Sequence, residues 1–229
     1  MAIIFNESFE TDGNGTRYIT STPEFSDGFS DFFTRADGSA ISSSYDVTGA
    51  AGSFFFAAQD IDGEGAAPEQ TLTLTDIDIS GASNLSFSAL FAEDDSSDGN
   101  EDWDGGSDNN FLRVEYQIDG GGYQNLFAIE NDGSTFNSAP FVDTDFDGIG
   151  DGAEITSVFT RYSAAFAQVG SLLDLRFTFN LEDGDEDIAI DDITIEGDVA
   201  GPVTVLSEGF ETDGNGTRYA TSVAEFSDG

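Results

Sequence analysis

Residues 173–181 read Leu173-Asp174-Leu175-Arg176-Phe177-Thr178-Phe179-Asn180-Leu181. Every odd position is apolar and every even one polar. A period of two sends successive side chains to opposite faces, which predicts a strand with one buried and one wet face. The same beat runs through Thr71 to Thr75, Leu85 to Ser88 and Leu112 to Ile118. The last of these enters Asp119-Gly120-Gly121-Gly122, a hairpin turn, and a partner strand from Tyr123 to Ile129 follows. Val158 to Val169 admits a helix or a strand and is taken as strand. Many strands separated by Gly-, Asp- and Ser-rich turns predict an all-β chain, an antiparallel β-sandwich with long acidic loops.

Composition bounds what such a sandwich can do. The 229 residues include 22 Phe and are 38% hydrophobic, enough for a substantial core. Six arginines face 46 acidic residues, a formal charge of -40, and there is no Lys, His or Cys. That surface repels nucleic acid and anionic membranes, so neither nucleic-acid binding nor membrane insertion is expected. No apolar run approaches transmembrane length. Without His, Cys or Lys there is no Ser-His triad, thiolate or Schiff base, and only a carboxylate pair remains for catalysis. The chain is therefore not read as an enzyme.

Residues 7–28, ESFETDGNGTRYITSTPEFSDG, return as residues 208–229, EGFETDGNGTRYATSVAEFSDG, with 18 of 22 positions matching. The offset predicts a module over 1–200, followed over 201–229 by a linker and the truncated start of a second, near-identical repeat. A period that long suits beads on a string, as in a large adhesin or filament, with other copies of the same protein as partners. The segment Met1 to Glu7 lacks a basic region followed by an apolar stretch. The expectation is an extracellular or cell-surface protein, exported by a type I-like, signal-peptide-independent route.

The sharpest motif is Asp143-Thr144-Asp145-Phe146-Asp147-Gly148-Ile149-Gly150-Asp151-Gly152-Ala153-Glu154. Asp143, Asp145, Asp147, Asp151 and Glu154 fall at loop positions 1, 3, 5, 9 and 12, with Gly148 at the bend and the Ile149 carbonyl at position 7. Calcium takes six to eight oxygens, and alternating Asp around a sharp Gly turn supplies them. The loop resembles those of EF-hands, dockerins and thrombospondin type-3 repeats. It departs from an EF-hand at Gly150, where an aliphatic residue is usual, and in strand-like flanks at Phe141-Val142 and Ile155 to Val158. It is read as a lone calcium loop between strands.

Two further acidic stretches can hold calcium or simply be solvated turns: Asp60-Ile61-Asp62-Gly63-Glu64, and Glu93 to Asp108 with eight carboxylates in sixteen residues. In Asp187-Ile188-Ala189-Ile190-Asp191-Asp192-Ile193-Thr194-Ile195 the apolar phase slips at Asp191-Asp192. A slip predicts a bulge, and a bulge can turn one carboxylate inward, where it needs a cation or a donor. Trp103, the lone Trp, and Tyr123 are candidate sugar-stacking residues, with Tyr45 and Tyr116 as assistants. Packing of Trp103 against the sandwich rim is the alternative.

The module opens with an apolar strand ending in Phe9-Glu10 and closes with Ile188-Ala189-Ile190-Asp191-Asp192-Ile193. Between lie Gly52-Ser53-Phe54-Phe55-Phe56-Ala57, Leu85-Ser86-Phe87 and Glu101-Asp102-Trp103. This order resembles MAM-type and concanavalin-like jelly rolls, and jelly-roll carbohydrate-binding modules. The resemblance implies pairing of the first and last strands and a structural calcium where Glu10 meets Asp191 or Asp192. Two functions follow as expectations: a calcium-binding structural or adhesive repeat of a secreted bacterial surface protein, or a calcium-stabilised carbohydrate-binding module with surface glycans as ligand.

Overall fold

A computed structural model of the chain describes residues 1–39, 41–42, 45–63, 65, 67–94, 103–105, 110–134 and 136–199. The chain divides into two units, Met1–Val199 and Ala200–Gly229. The second unit, Glu64 and most of the Glu93–Asp108 cluster lie outside the described residues.

Thirteen strands make up the described fold: β1 Ala2–Glu7, β2 Ile19–Thr20, β3 Phe25–Ser26, β4 Phe32–Ala36, β5 Phe55–Gln59, β6 Glu69–Asp78, β7 Ala82–Ala92, β8 Phe111–Ile118, β9 Gln124–Asn131, β10 Pro140–Val142, β11 Thr160–Ala165, β12 Leu172–Asn180 and β13 Asp187–Val199. One sheet runs β11-β7-β13-β5-β4-β3, with β1 also paired to β13; the other runs β10-β9-β8-β12-β6-β2. Every strand pairing is antiparallel. From β5 to β8, and again from β10 to β13, the chain changes sheet at every step, giving a sandwich of jelly-roll type.

The alternation in β12 is realised directly. Leu173, Leu175, Phe177, Phe179 and Leu181 are buried, while Asp174, Arg176, Thr178 and Asn180 lie half-buried on the outer face. Rings pack across the interior: Phe33 lies 5.3 Å from Phe179 of the facing sheet and 4.9 Å from Phe56 of its own, both edge-on. Strand β5 breaks the alternation because both its faces are covered. Phe56 and Ala58 join the main core, whereas Phe55 and Ala57 join a second cluster with Phe32, Ile41 and Phe159 on the outer side of the sheet. The hairpin at Ile118–Gly121 is tight, with Asp119 at φ 51° and Gly120 at φ 72°, the left-handed pair that a two-residue turn between twisted strands requires. The strand expected over Val158 to Val169 is shorter, Thr160–Ala165.

Strand β13 is the spine of its sheet. Along one edge it pairs first with β5, through Asp187–Ile190, and then with β1, through Ile193–Gly197. Asp191 and Asp192 fall in the break between those partners. The register against β7 shifts there, and Asp192 takes φ 45°, so the phase slip in the sequence is a bulge.

Candidate metal centre and ligand cleft

The 143–154 loop leaves the end of β10 and is closed at its base by backbone hydrogen bonds. The Val142 carbonyl accepts from Asp151 N (3.1 Å) and Gly152 N (2.7 Å), and Val142 N donates to Ala153 O (2.9 Å). Asp143 is almost fully buried and organises the turn. Its Oδ1 accepts from Asp145 N (3.1 Å) and Phe146 N (2.7 Å), and its Oδ2 from Gly148 N (3.0 Å). Gly148, at φ 91°, makes the bend. One carboxylate oxygen from each of Asp143, Asp145 and Asp147 lies within 4.8 Å of the other two, a group that could hold a metal ion. Like charges at about 4 Å repel by about 1 kcal/mol per pair even in water, so a cation between them is favoured.

The rest of the expected ligand set is placed differently. Asp151 turns to Thr144, whose N and Oγ1 donate to its Oδ1 at 3.0 and 2.8 Å and hold its carboxyl below the usual range. Ile149 is exposed, and Glu154 bridges Phe141 through its backbone while its carbonyl accepts from Tyr162 Oη at 2.9 Å. Neither Asp151 nor Glu154 joins the trio.

Glu10 and Asp191 meet around the segment 51–54. Glu10 Oε1 accepts from Ser53 N (2.7 Å) and Phe54 N (2.8 Å), bonds that hold its carboxyl low, and Asp191 Oδ2 accepts from Ala51 N (2.7 Å). Asp191 is fully buried, and that burial pushes it up to about 6, with Asp192 and Glu10 adding to the rise. Asp192 points elsewhere, to Arg161 and to Asn6 Nδ2 (2.6 Å). Asp60 and Asp62 gather with Asp31, which lies about thirty residues earlier in the chain, and burial and the neighbouring carboxylates push Asp60 up to about 6. A fourth group joins Asp104, from the acidic Glu93–Asp108 stretch, to Asp183 and Glu186. Buried Glu186 is pushed up to about 7, although Asn110 Nδ2 and the Glu182 and Asp183 amides donate to its Oε2 at 2.6, 2.7 and 3.0 Å.

Trp103 corrects the sugar-stacking expectation. It is 0% exposed, bridges to Ser138, and its Nε1 donates to the Asp187 carbonyl at 3.0 Å. No face of its ring is open to a ligand. Tyr123 is half-buried, with Arg176 over one face of its ring, 3.8 Å from the centroid, and Tyr116 is buried. Tyr45 donates to Asp187 Oδ1 at 2.8 Å.

An open cleft of about 460 Å³ lies instead on the outer face of the six-stranded sheet. Its floor is built of cross-strand rows. Arg176 lies between Thr73 and Glu115, and Thr178 between Thr71 and Arg113. Arg176 binds Glu115 Oε2 at 2.6 Å, and Arg113 binds Glu130 Oε1 at 3.0 Å while lying 3.9 Å over the Phe111 ring. The wall on one side is Asp143, Phe146, Asp147 and Gly148 of the acidic loop. Sequence reasoning placed Arg113 and Arg176 on outward faces, but only the overhanging loop makes that face a cleft.

No protein-family model matches the chain, and no curated protein matches it. Among solved structures the fold is similar to the CBM22-1 xylan-binding domain of Paenibacillus barcinonensis Xyn10C, with 11% identity and a TM-score of 0.42 over 87% of this chain and 97% of that one. It is similar to the K3 cleaved adhesin domain of Lys-gingipain from Porphyromonas gingivalis, with 18% identity and a TM-score of 0.45 over 85% and 99% of the two chains. A third likeness is to a CBM6 module of Clostridium stercorarium bound to cellobiose, with 13% identity and a TM-score of 0.37 over 85% and 94%.

Proposed function

We propose that the chain is a non-catalytic, calcium-stabilised module of an extracellular or cell-surface protein, a structural or adhesive unit that works among further copies of itself. The observation that carries this is the convergence of Asp143, Asp145 and Asp147 in one turn whose amides are already committed to Asp143. Hard oxygen ligands on a curled backbone suit calcium. The carboxylates around Asp191 and Asp60 offer further calcium positions. A cation that binds only the folded loop adds its binding energy to folding, which suits a chain that leaves the cell unfolded and meets calcium outside. Melting the full chain in millimolar calcium and in chelator tests it. At calcium about 100-fold above Kd the melting temperature rises by roughly 5–10 °C. Asp145→Asn removes most of that rise. A wild-type melting curve indifferent to calcium rules the reading out.

A second reading, glycan binding, is favoured by the cleft. Its floor offers fixed guanidinium, carboxylate and hydroxyl groups, the donors and acceptors that a polyhydroxylated chain uses.

A further inference from the structure

We propose that the 143–154 loop is a metal-set wall of the cleft: a divalent cation on Asp143, Asp145 and Asp147 fixes Phe146 beside the sheet, and a neutral glycan binds tightly only in that state. This rests on the calcium and glycan readings above and deepens both.

Three aromatic rings line the cleft; Phe111 and Phe127 are buried, whereas Phe146 is 42% exposed. A large apolar ring held out in water beside polar groups is what stacking on a sugar face needs. Its backbone is in the left-handed region, φ 61°, where a bulky residue persists only if its surroundings hold it. The holding group is Asp143, through the 2.7 Å bond from Phe146 N. The carboxylate that organises the metal trio is therefore the one that sets the ring.

The loop is also a partition. Behind it lies a second recess of about 360 Å³, lined by Leu126, Val142, Tyr162 and Ala164, and Asp143 and Phe146 border both spaces. Without a cation, three carboxylates in one turn repel, the turn relaxes, and the ring has an apolar recess to enter. With a cation the turn closes and the ring stays at the cleft.

Charge names the ligand class. Five carboxylates and two guanidiniums line the cleft, and both guanidiniums are already paired. One divalent cation leaves the balance still negative, so uronates and sulfated chains are repelled and a neutral glycan is not.

Isothermal titration of the full chain with neutral glucose-, xylose- and mannose-based oligosaccharides, and with a uronate oligomer, in calcium and in chelator tests this. At least one neutral oligosaccharide binds about tenfold or more tighter in calcium, and the uronate does not bind. Phe146→Ala keeps the calcium-dependent rise in melting temperature and loses about tenfold or more in affinity. Asp145→Asn loses both calcium effects. Equal affinity in calcium and chelator, or wild-type affinity in Phe146→Ala, overturns the wall and leaves glycan binding standing. Binding of the uronate alone overturns the ligand class. No binding in either condition overturns the wall and the glycan reading together, while the calcium reading is judged separately by melting.

Discussion

A Cβ on Gly150 would stand 2.6 Å from both the Glu130 carbonyl oxygen and the Phe141 Cβ. That explains why this loop lacks the aliphatic residue an EF-hand carries there: the turn is pressed onto β9 and β10, and Gly150 N donates to Asn131 O at 2.7 Å. Gly150→Ala must lift the loop from the sheet. The expected cost is about 1–3 kcal/mol, read by denaturant unfolding, together with a smaller stabilisation by calcium. Unfolding curves superimposable on wild type in both calcium and chelator would show that the close approach is unimportant. Trp103 illustrates a different limit at this scale. Its neighbours are acidic and polar, which suggests an exposed ring, yet its indole N–H finds the Asp187 carbonyl and the ring is enclosed. Local polarity does not reveal a partner 84 residues away.

Strands with one wet face were legible from the sequence alone, because burial on a single face imposes a period of two; β12, β8 and the hairpin to β9 follow it. Strand β5 was legible only as an apolar run, since covering both faces erases the alternation. The bulge at Asp191-Asp192 could be read because a one-residue slip moves Ile193 and Ile195 to the opposite parity while all four neighbouring isoleucines remain buried. The acidic trio was legible as spacing within one turn. The cleft was not, since its floor joins rows from β6, β12, β8 and β9 that only the fold sets side by side. Asp31 beside Asp60, and Asp104 beside Asp183 and Glu186, were hidden for the same reason.

For the whole molecule, the buried and half-buried acids set the response to pH. Asp60 and Asp191 are pushed up to about 6 and Glu186 to about 7, against about 4 in an unfolded chain. A raised folded value means the fold prefers the protonated form. The stability these groups contribute is full below about pH 4 and is lost as pH rises through about 6 to 7. Glu10 and Asp151 are held low, so what they contribute disappears only in more acid solution. In chelator, melting temperature should therefore fall between about pH 5 and pH 8, and net self-repulsion acts in the same direction. A melting temperature that climbs over that range contradicts the picture. The pairing of β1 with β13 has a mechanical side. Ala2 sits opposite Gly197 in an antiparallel ladder, so the outer ends of the first and last strands lie side by side. Tension applied at those two ends does not shear the ladder; it peels β1 away one bond at a time. Single-molecule pulling from positions 2 and 199 should open the sandwich at a low force, with β1 leaving first, whereas attachment points at opposite ends of the β1–β13 ladder should load all its bonds together and resist far more. Built into a taut fibre, such a module would give way early and lengthen, acting as a shock absorber rather than a rigid link.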